Sequence, residues 1–304
     1  MSRGILTLVL FAGLAAAGTG PAVGSATGLS PEVTADTCLA CHPAAAVVLE
    51  TRHGGTGDGG APFAGAQCEA CHGAGLKHVR GDPATGQRLP LLQFGPDSPA
   101  SVAERNAPCA GCHAGRLAGH WAGSAHEREG LACTTCHRIH VRQDPVLAEG
   151  TQAEACYGCH PRQRAEFQKP YTHPVRYGQM ACTACHEPHG SDADFALRRP
   201  DVNDTCFDCH AEKRGPFLWE HPPASDDCGN CHLSHGSVQP ALLVKRPPLL
   251  CQQCHAPEGH PGVPYGTEGL PTGSPQPYLL VGGCVNCHSA VHGSNHPSGS
   301  RLMR

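Results

Sequence analysis

Apolar residues are concentrated in one stretch near the N-terminus, Ile5 to Ala17, and no later stretch approaches the length of a membrane span. Arg3 precedes this stretch, and small residues follow it, with Gly24 and Ala26 where a cleavage site is expected. The pattern predicts a secretory signal peptide over residues 1–26, because the apolar run is shorter than the roughly 20 residues that cross a bilayer. We therefore expect an exported protein with a mature chain of residues 27–304.

The rest of the chain is too poor in large apolar side chains for an ordinary core. Hydrophobic residues make up 39% of the sequence and include 20 cysteines, while aromatic residues contribute 5%. Globular proteins draw about 45–50% of their residues from apolar types, so something other than side chains must fill the interior. The net charge of −4 provides no basic surface for nucleic acid, and we expect no nucleic-acid partner.

The cysteines share one pattern, Cys-x-x-Cys-His, which occurs ten times and leaves no cysteine over. This pattern is typical of covalent c-type haem attachment, in which two thiols add to the haem vinyl groups and the histidine ligates iron. Disulfide scaffolds, zinc ribbons and redox dithiols also use paired cysteines, but none of them requires a histidine at the fifth position every time. The sequence therefore predicts ten covalent haem c groups with their iron.

The motifs are numbered one to ten in chain order. The predicted thioether cysteines are Cys38, Cys41, Cys68, Cys71, Cys109, Cys112, Cys133, Cys136, Cys156, Cys159, Cys182, Cys185, Cys206, Cys209, Cys228, Cys231, Cys251, Cys254, Cys284 and Cys287. The predicted proximal iron ligands are His42, His72, His113, His137, His160, His186, His210, His232, His255 and His288.

Ten flat apolar rings would replace the missing core. The predicted fold class is a multihaem cytochrome c, with short α-helices and loops around a chain of ten covalently bound haems and little or no β-sheet. We expect a single elongated domain over residues 27–304, built from five two-haem units.

Histidine is the expected sixth iron ligand at each haem. Methionine cannot serve ten sites, because the mature chain contains only Met180 and Met303. Outside the motifs there are twelve histidines, of which we exclude His120, which lies outside the regular spacing, and His296, which lies in a Gly/Ser/Pro-rich tail. The predicted distal ligands are His53, His78, His126, His140, His173, His189, His221, His235, His260 and His292.

The distal histidines recur with the motifs. Motifs four, six and eight each have one histidine seven or nine residues upstream and another three residues beyond the motif histidine, which gives a repeat of about 46–49 residues. His140, His189 and His235 are the downstream members. A histidine so close to the proximal ligand cannot reach the opposite face of the same haem. We therefore expect each to ligate a neighbouring haem and to link the haems into a continuous chain.

Four stretches resemble the MtrA/DmsE family of periplasmic decahaem cytochromes. They are SAHEREGLACTTCHRIH (124–140), THPVRYGQMACTACHEPHG (172–190), CEACHGAGLKHV (68–79) and CVNCHSAVHGSNHPSG (284–299). The resemblance implies an elongated chain of bis-histidine haems inserted into an MtrB-like outer-membrane β-barrel porin. It also implies periplasmic and outer-surface cytochromes, or a terminal reductase, as redox partners, and a periplasmic, outer-membrane-associated location.

An electron carrier without enzymatic activity is therefore the favoured function. A multihaem reductase acting on nitrite, hydroxylamine or a sulfur oxyanion is one alternative, which needs an iron with an open coordination position. A self-polymerising cytochrome filament or a free periplasmic charge store is another. Spin state distinguishes the reductase, and association with a barrel protein distinguishes the filament and the store.

The chain should not fold without its haem, because the cofactor supplies most of the apolar interior and binding is then coupled to folding. Expressed without covalent haem attachment, the mature chain is expected to show a disordered far-ultraviolet circular dichroism spectrum. The same chain with haem attached is the control. A cooperative thermal transition of the haem-free chain would contradict this prediction.

Overall fold

A computed structural model describes residues 33–55, 67–115, 118–255, 284–297 and 299–303. The predicted signal peptide and His260 lie outside these ranges. The α-helices are α1 (Ala35–Leu39), α2 (Glu69–His72), α3 (Leu76–Arg80), α4 (Val102–His113), α5 (Ala118–Trp121), α6 (Ala125–Arg128), α7 (Cys133–Cys136), α8 (Glu149–Tyr157), α9 (Pro161–Glu166), α10 (Val202–Phe207) and α11 (Pro222–Asp226). The 3₁₀ segments are Pro43–Glu50, Arg52–Gly54, Pro145–Leu147, Pro174–Tyr177, Cys182–Ala184, Asp194–Ala196, Ala211–Lys213, Cys228–Asn230, Pro240–Leu242, Cys251–Gln253, Cys284–Asn286 and Gly299–Arg301.

This architecture confirms the predicted fold class. Between residues 33 and 303, the described segments contain no β-strand. They contain four isolated bridges, which pair Tyr171 with Ser237, His186 with Leu197, Trp219 with Ser294 and His232 with Leu243. No helix of the described segments is long and apolar enough to cross a bilayer.

Each attachment motif forms one helical turn. The backbone N–H of the motif histidine donates to the carbonyl of the first cysteine, at 2.9 Å from His42 to Cys38 and at 2.9 Å from His232 to Cys228. Residues i, i+3 and i+4 lie on one side of such a turn. The spacing Cys-x-x-Cys-His therefore brings both thiols and the imidazole to the same side, where one porphyrin can meet all three.

The longest helix, α4, begins at a capping box that its sequence encodes. The N–H of Glu104 donates to the Ser101 hydroxyl at 3.2 Å, and the Glu104 carboxylate accepts from the Ser101 N–H at 2.7 Å. These two bonds satisfy backbone donors that would otherwise lack partners at the helix start. The helix ends on motif three, so the cap stabilises the helix that carries Cys109, Cys112 and His113.

The protein-only core is small. Ala153, Tyr157, Phe167 and Val175 form one buried apolar cluster, with Met180 packed against it. Large apolar side chains are exposed elsewhere, including Phe195 at 81% of its surface. This distribution agrees with the composition, since few large apolar side chains of the described residues are buried by the protein itself.

Glycines that follow three distal histidines allow segments of the chain to lie against one another. They are Gly190, Gly236 and Gly293, after His189, His235 and His292, and all three have positive φ. A Cβ atom on Gly190, at φ +109°, would overlap the carbonyl oxygen of His120. These His-Gly pairs bring a ligand-bearing loop onto an earlier part of the chain, a contact that a larger residue would prevent.

Gly190→Ala is expected to destabilise the holoprotein by about 1–3 kcal/mol or more, because the side chain adds both backbone strain and a clash with backbone. Gly150→Ala in α8 is the matched control, since a Cβ atom there meets nothing within 4 Å. Denaturant unfolding should show the Gly190 variant weakened and the Gly150 variant unchanged or slightly stabilised. Equal stability of the two variants would contradict the packing role of Gly190.

Candidate haem-binding site

The ten motifs open onto one continuous cavity of about 4310 Å³. All ten motif histidines line it, together with nine of the ten predicted distal histidines, while His120 and His296 are not among its lining residues. A pocket for a single drug-sized ligand occupies about 300–1,000 Å³. The cavity is therefore several times too large for one small cofactor and suits a series of them.

Within this cavity, histidines lie in pairs. Nine pairs join one motif histidine to one distal candidate, with ring centres 6.0 to 6.4 Å apart. In motif order the pairs are His42–His78, His72–His140, His113–His53, His137–His189, His160–His126, His186–His235, His210–His173, His232–His292 and His255–His221.

The separation fits one iron between two imidazoles. With metal–nitrogen bonds of about 2.0 Å on opposite sides of an ion, the two ring centres lie about 6.3 Å apart. Rings in direct face-to-face contact would be much closer than this. Among the described residues, no three His, Cys, Asp or Glu side chains converge on one point for a metal ion. The donors are arranged as opposed pairs, the ligand set of a six-coordinate haem iron.

The second nitrogen of many of these rings is held by the backbone. The Nδ1–H groups of His72 and His78 donate to the carbonyls of Leu92 at 2.8 Å and Leu89 at 2.9 Å. Such a bond orients the ring and keeps Nε2 unprotonated, which is the state that binds a metal. These backbone hydrogen bonds therefore leave Nε2 of each imidazole available to bind a metal.

Three of these bonds connect different parts of the repeat. His126 donates to the carbonyl of Pro188 at 2.8 Å, and this residue immediately precedes His189. Likewise, His173 donates to Ser234, just before His235, and His221 donates to Val291, just before His292. The histidine upstream of motifs four, six and eight is therefore anchored to the residue just before another predicted distal ligand.

A second repeated device holds the motif histidines. His186 donates to the carbonyl of Phe195 at 2.9 Å, and His232 donates to that of Ala241 at 2.8 Å. Phe195 and Ala241 have φ of 57° and 53°, an uncommon conformation for residues other than glycine. Sequence reasoning missed these acceptors. The equal length of the loop after motifs six and eight, nine residues from the histidine to the acceptor, was the available signal.

The cysteines connect consecutive motifs in strict alternation. First cysteines hydrogen-bond within the predicted units, as Cys109 with Cys133 and Cys156 with Cys182. Second cysteines interact between units, as Cys136 with Cys159. The other hydrogen-bonded pairs of first cysteines are Cys38–Cys68, Cys206–Cys228 and Cys251–Cys284. The other second cysteines that interact electrostatically are Cys71–Cys112, Cys185–Cys209 and Cys231–Cys254. These nine interactions follow the ten motifs in chain order.

Burial changes the proton affinity of both groups of side chains. It raises the pKa of Cys38 to about 11 and that of Cys206 to about 12, unlike the acidic thiols of redox dithiols. Hydrogen bonds with Cys109 and Cys156 instead lower the pKa of Cys133 and Cys182.

Among the histidines, burial is the largest cause wherever the pKa departs from its ordinary value. The affected rings, all with a lowered pKa, are His53, His140, His186, His189 and His292. A lower pKa favours the neutral imidazole, the form that ligates a metal.

The structure pairs histidines across the predicted units. His140, His189 and His235 lie against the motif histidines two motifs earlier, His72, His137 and His186. None of them lies against its own motif histidine. His260, also predicted as a distal ligand, is outside the described residues, so its role stays a prediction.

Comparison with known proteins agrees with this geometry. A model of a doubled CXXCH motif matches residues 173–215 and 221–260, and a model of NrfB-like cytochrome c-type proteins matches residues 68–150. The multiheme cytochrome MtrA of Shewanella baltica (strain OS185) is 45% identical over 275 residues, which cover 89% of this chain and 81% of the relative.

The chain belongs to the MtrA family of multihaem c-type cytochromes. Membership confirms the resemblance seen in the sequence and the predicted class of protein, an electron-transfer cytochrome that binds haem c. The paired imidazoles and the motif cysteines described above are the side chains that would hold haem c in a chain of this family.

His189→Ala is expected to leave one iron without its distal ligand, because this ring lies 6.0 Å from the ring of His137. Electron paramagnetic resonance of the oxidised holoprotein should then show a new high-spin signal from one haem. His120→Ala is the matched control, since His120 is exposed and lies one residue from Trp121, which packs on His189. Purely low-spin haem in the His189 variant would exclude this residue as a ligand.

Proposed function

We propose that this protein carries electrons along ten bis-histidine haems c, from the periplasm across the outer membrane, inside a β-barrel porin. The observation that carries the proposal is the file of motifs, in which cysteines of consecutive motifs interact in chain order and paired histidines have ring centres at ligand spacing. The protein receives and delivers electrons through periplasmic and outer-surface cytochromes or a terminal reductase.

The axial ligands favour a carrier over a reductase. Haem iron, when bound, supplies a one-electron Fe³⁺/Fe²⁺ couple. Nine motif histidines each face a second imidazole at 6.0 to 6.4 Å, and two imidazoles leave no position for substrate on that iron. We assign the remaining distal position, at motif ten, to His260.

The alternating cysteine contacts support transfer along the chain. We take each motif thiol as the point where the chain joins a porphyrin edge, so an electrostatic interaction such as that of Cys136 with Cys159 supports neighbouring attachment points. The hydrogen-bonded first cysteines support five two-haem units, and the interactions of second cysteines support a connection between those units. We infer one domain over residues 27–304, because no motif in the file lacks a neighbour.

The location and the porin partner rest on sequence features and on the family. The signal peptide proposed for residues 1–26 directs export, and haem attachment to exported cytochromes agrees with a periplasmic protein. The resemblance of the motif-bearing stretches to periplasmic decahaem cytochromes supports insertion into an MtrB-like porin.

Liposomes test the conduit directly. Vesicles loaded with a reduced viologen dye should lose the dye's colour on external addition of ferric citrate only when both the holoprotein and a co-purified barrel protein are present. His189→Ala should slow this oxidation, and His120→Ala should leave it unchanged. Haemochrome analysis of the same preparation should give ten haems per polypeptide.

Other outcomes would contradict the proposal in distinct ways. A haem content well below ten would remove the continuous file. High-spin haem in the unmodified protein, together with turnover of nitrite or hydroxylamine, would favour the reductase. Sedimentation as a polymer without a barrel partner would favour a filament.

A further inference from the structure

The motif histidines of the even-numbered motifs differ in one respect. In motifs two, six, eight and ten, the Nδ1–H group donates to a backbone carbonyl, as from His186 to Phe195 and from His232 to Ala241. In motif four, His137 donates instead to the carboxylate of Asp144, at 2.7 Å. The same position in the repeat therefore has a backbone carbonyl as acceptor in four motifs and a carboxylate in one.

His189, the imidazole paired with His137, also lies beside a carboxylate. The Nδ1 atom of His189 is 3.5 Å from the Glu187 carboxylate. His137 and His189 are the pair whose ring centres are 6.0 Å apart. Both axial positions proposed for the haem of motif four therefore face an acidic side chain.

Asp144 is held firmly and is weakly screened. Its side chain is 10% exposed, and its other oxygen caps the turn Pro145–Leu147 by accepting from the Val146 N–H at 3.3 Å. Among the described residues, Asp144 forms no ion pair with a lysine or arginine. Since burial weakens screening by solvent and salt, the charge of Asp144 is screened less than that of an exposed carboxylate.

Glu166 provides an internal comparison. It accepts from the Nδ1–H of His235 at 3.1 Å, beside motif six, but it also pairs with Arg162 at 3.1 Å. The guanidinium offsets the carboxylate charge, so the effect of Glu166 on its ligand is smaller. The imidazoles of the repeat thus donate to three kinds of acceptor: a carboxylate without a basic partner, a carboxylate paired with arginine, and a backbone carbonyl.

Resting on the proposed bis-histidine ligation, we propose that Asp144, assisted by Glu187, lowers the reduction potential of the haem at motif four relative to those at motifs six and eight. A carboxylate acceptor increases the basicity of the imidazole that donates to it, and a more basic ligand stabilises ferric over ferrous iron. The negative charge acts in the same direction. Asp144 is a positioning and tuning residue, and it places an energy step near the middle of the file.

Asp144→Asn in the full holoprotein tests the proposal, because asparagine keeps an oxygen acceptor and a cap while removing the charge. Potentiometric titration followed by electron paramagnetic resonance should show one low-spin component shifted to higher potential. Glu166→Gln should shift a different component by less. Glu154→Gln, which removes an exposed carboxylate paired with Arg164, should shift none.

Two results would overturn the proposal. The first is an Asp144→Asn protein with wild-type haem content and unchanged potentials, and the second is a high-spin signal, which would mean that Asp144 only holds the ring in place. If this variant does not accumulate, Glu187→Gln must still raise the potential of one component. Wild-type protein without low-spin bis-histidine signals would instead defeat the proposed ligation itself, so the two failures are distinguishable.

Discussion

Pairs of imidazoles whose ring centres lie about 6 Å apart are the interaction on which the described structure depends. One ring comes from an attachment motif and the other from a distant part of the chain, so each pair joins segments that the sequence separates. The His186–His235 pair, for example, joins motif six to the segment after motif eight. In a chain whose buried apolar cluster amounts to a few side chains, we propose that such cross-links through a shared haem are the main source of long-range order.

The hydrogen bonds behind the rings extend this dependence to the backbone. His173 is held by the carbonyl of Ser234, and the adjacent His235 faces a different motif. Shifting one ligand loop would therefore misplace the ligands of two irons. The glycine after His235 and its equivalents make room for this close approach. Ligation and packing are thus parts of one interlocked repeat, which explains why short helices without a common core can adopt a defined arrangement.

Electrostatic differences within the repeat give otherwise similar positions different chemistry. Backbone carbonyls dominate as acceptors for the imidazoles, and the carboxylates of Asp144, Glu166 and Glu187 are departures from that pattern. A row of identical haem sites would have equal reduction potentials. Acidic acceptors at particular positions provide a means of varying the potential along the row without changing a single axial ligand.

The sequence by itself determined the class of attachment chemistry and the fold class, because these follow from covalent motifs. It also predicted histidine over methionine as the distal ligand, and His140, His189 and His235 as ligands for a haem other than their own, since three residues cannot span a porphyrin. Only the tertiary structure decided which rings meet, such as His53 with His113 and His126 with His160. Those partners are far apart in the chain, and loop closure, glycine contacts and backbone acceptors select them. No local pattern of residues encodes that selection.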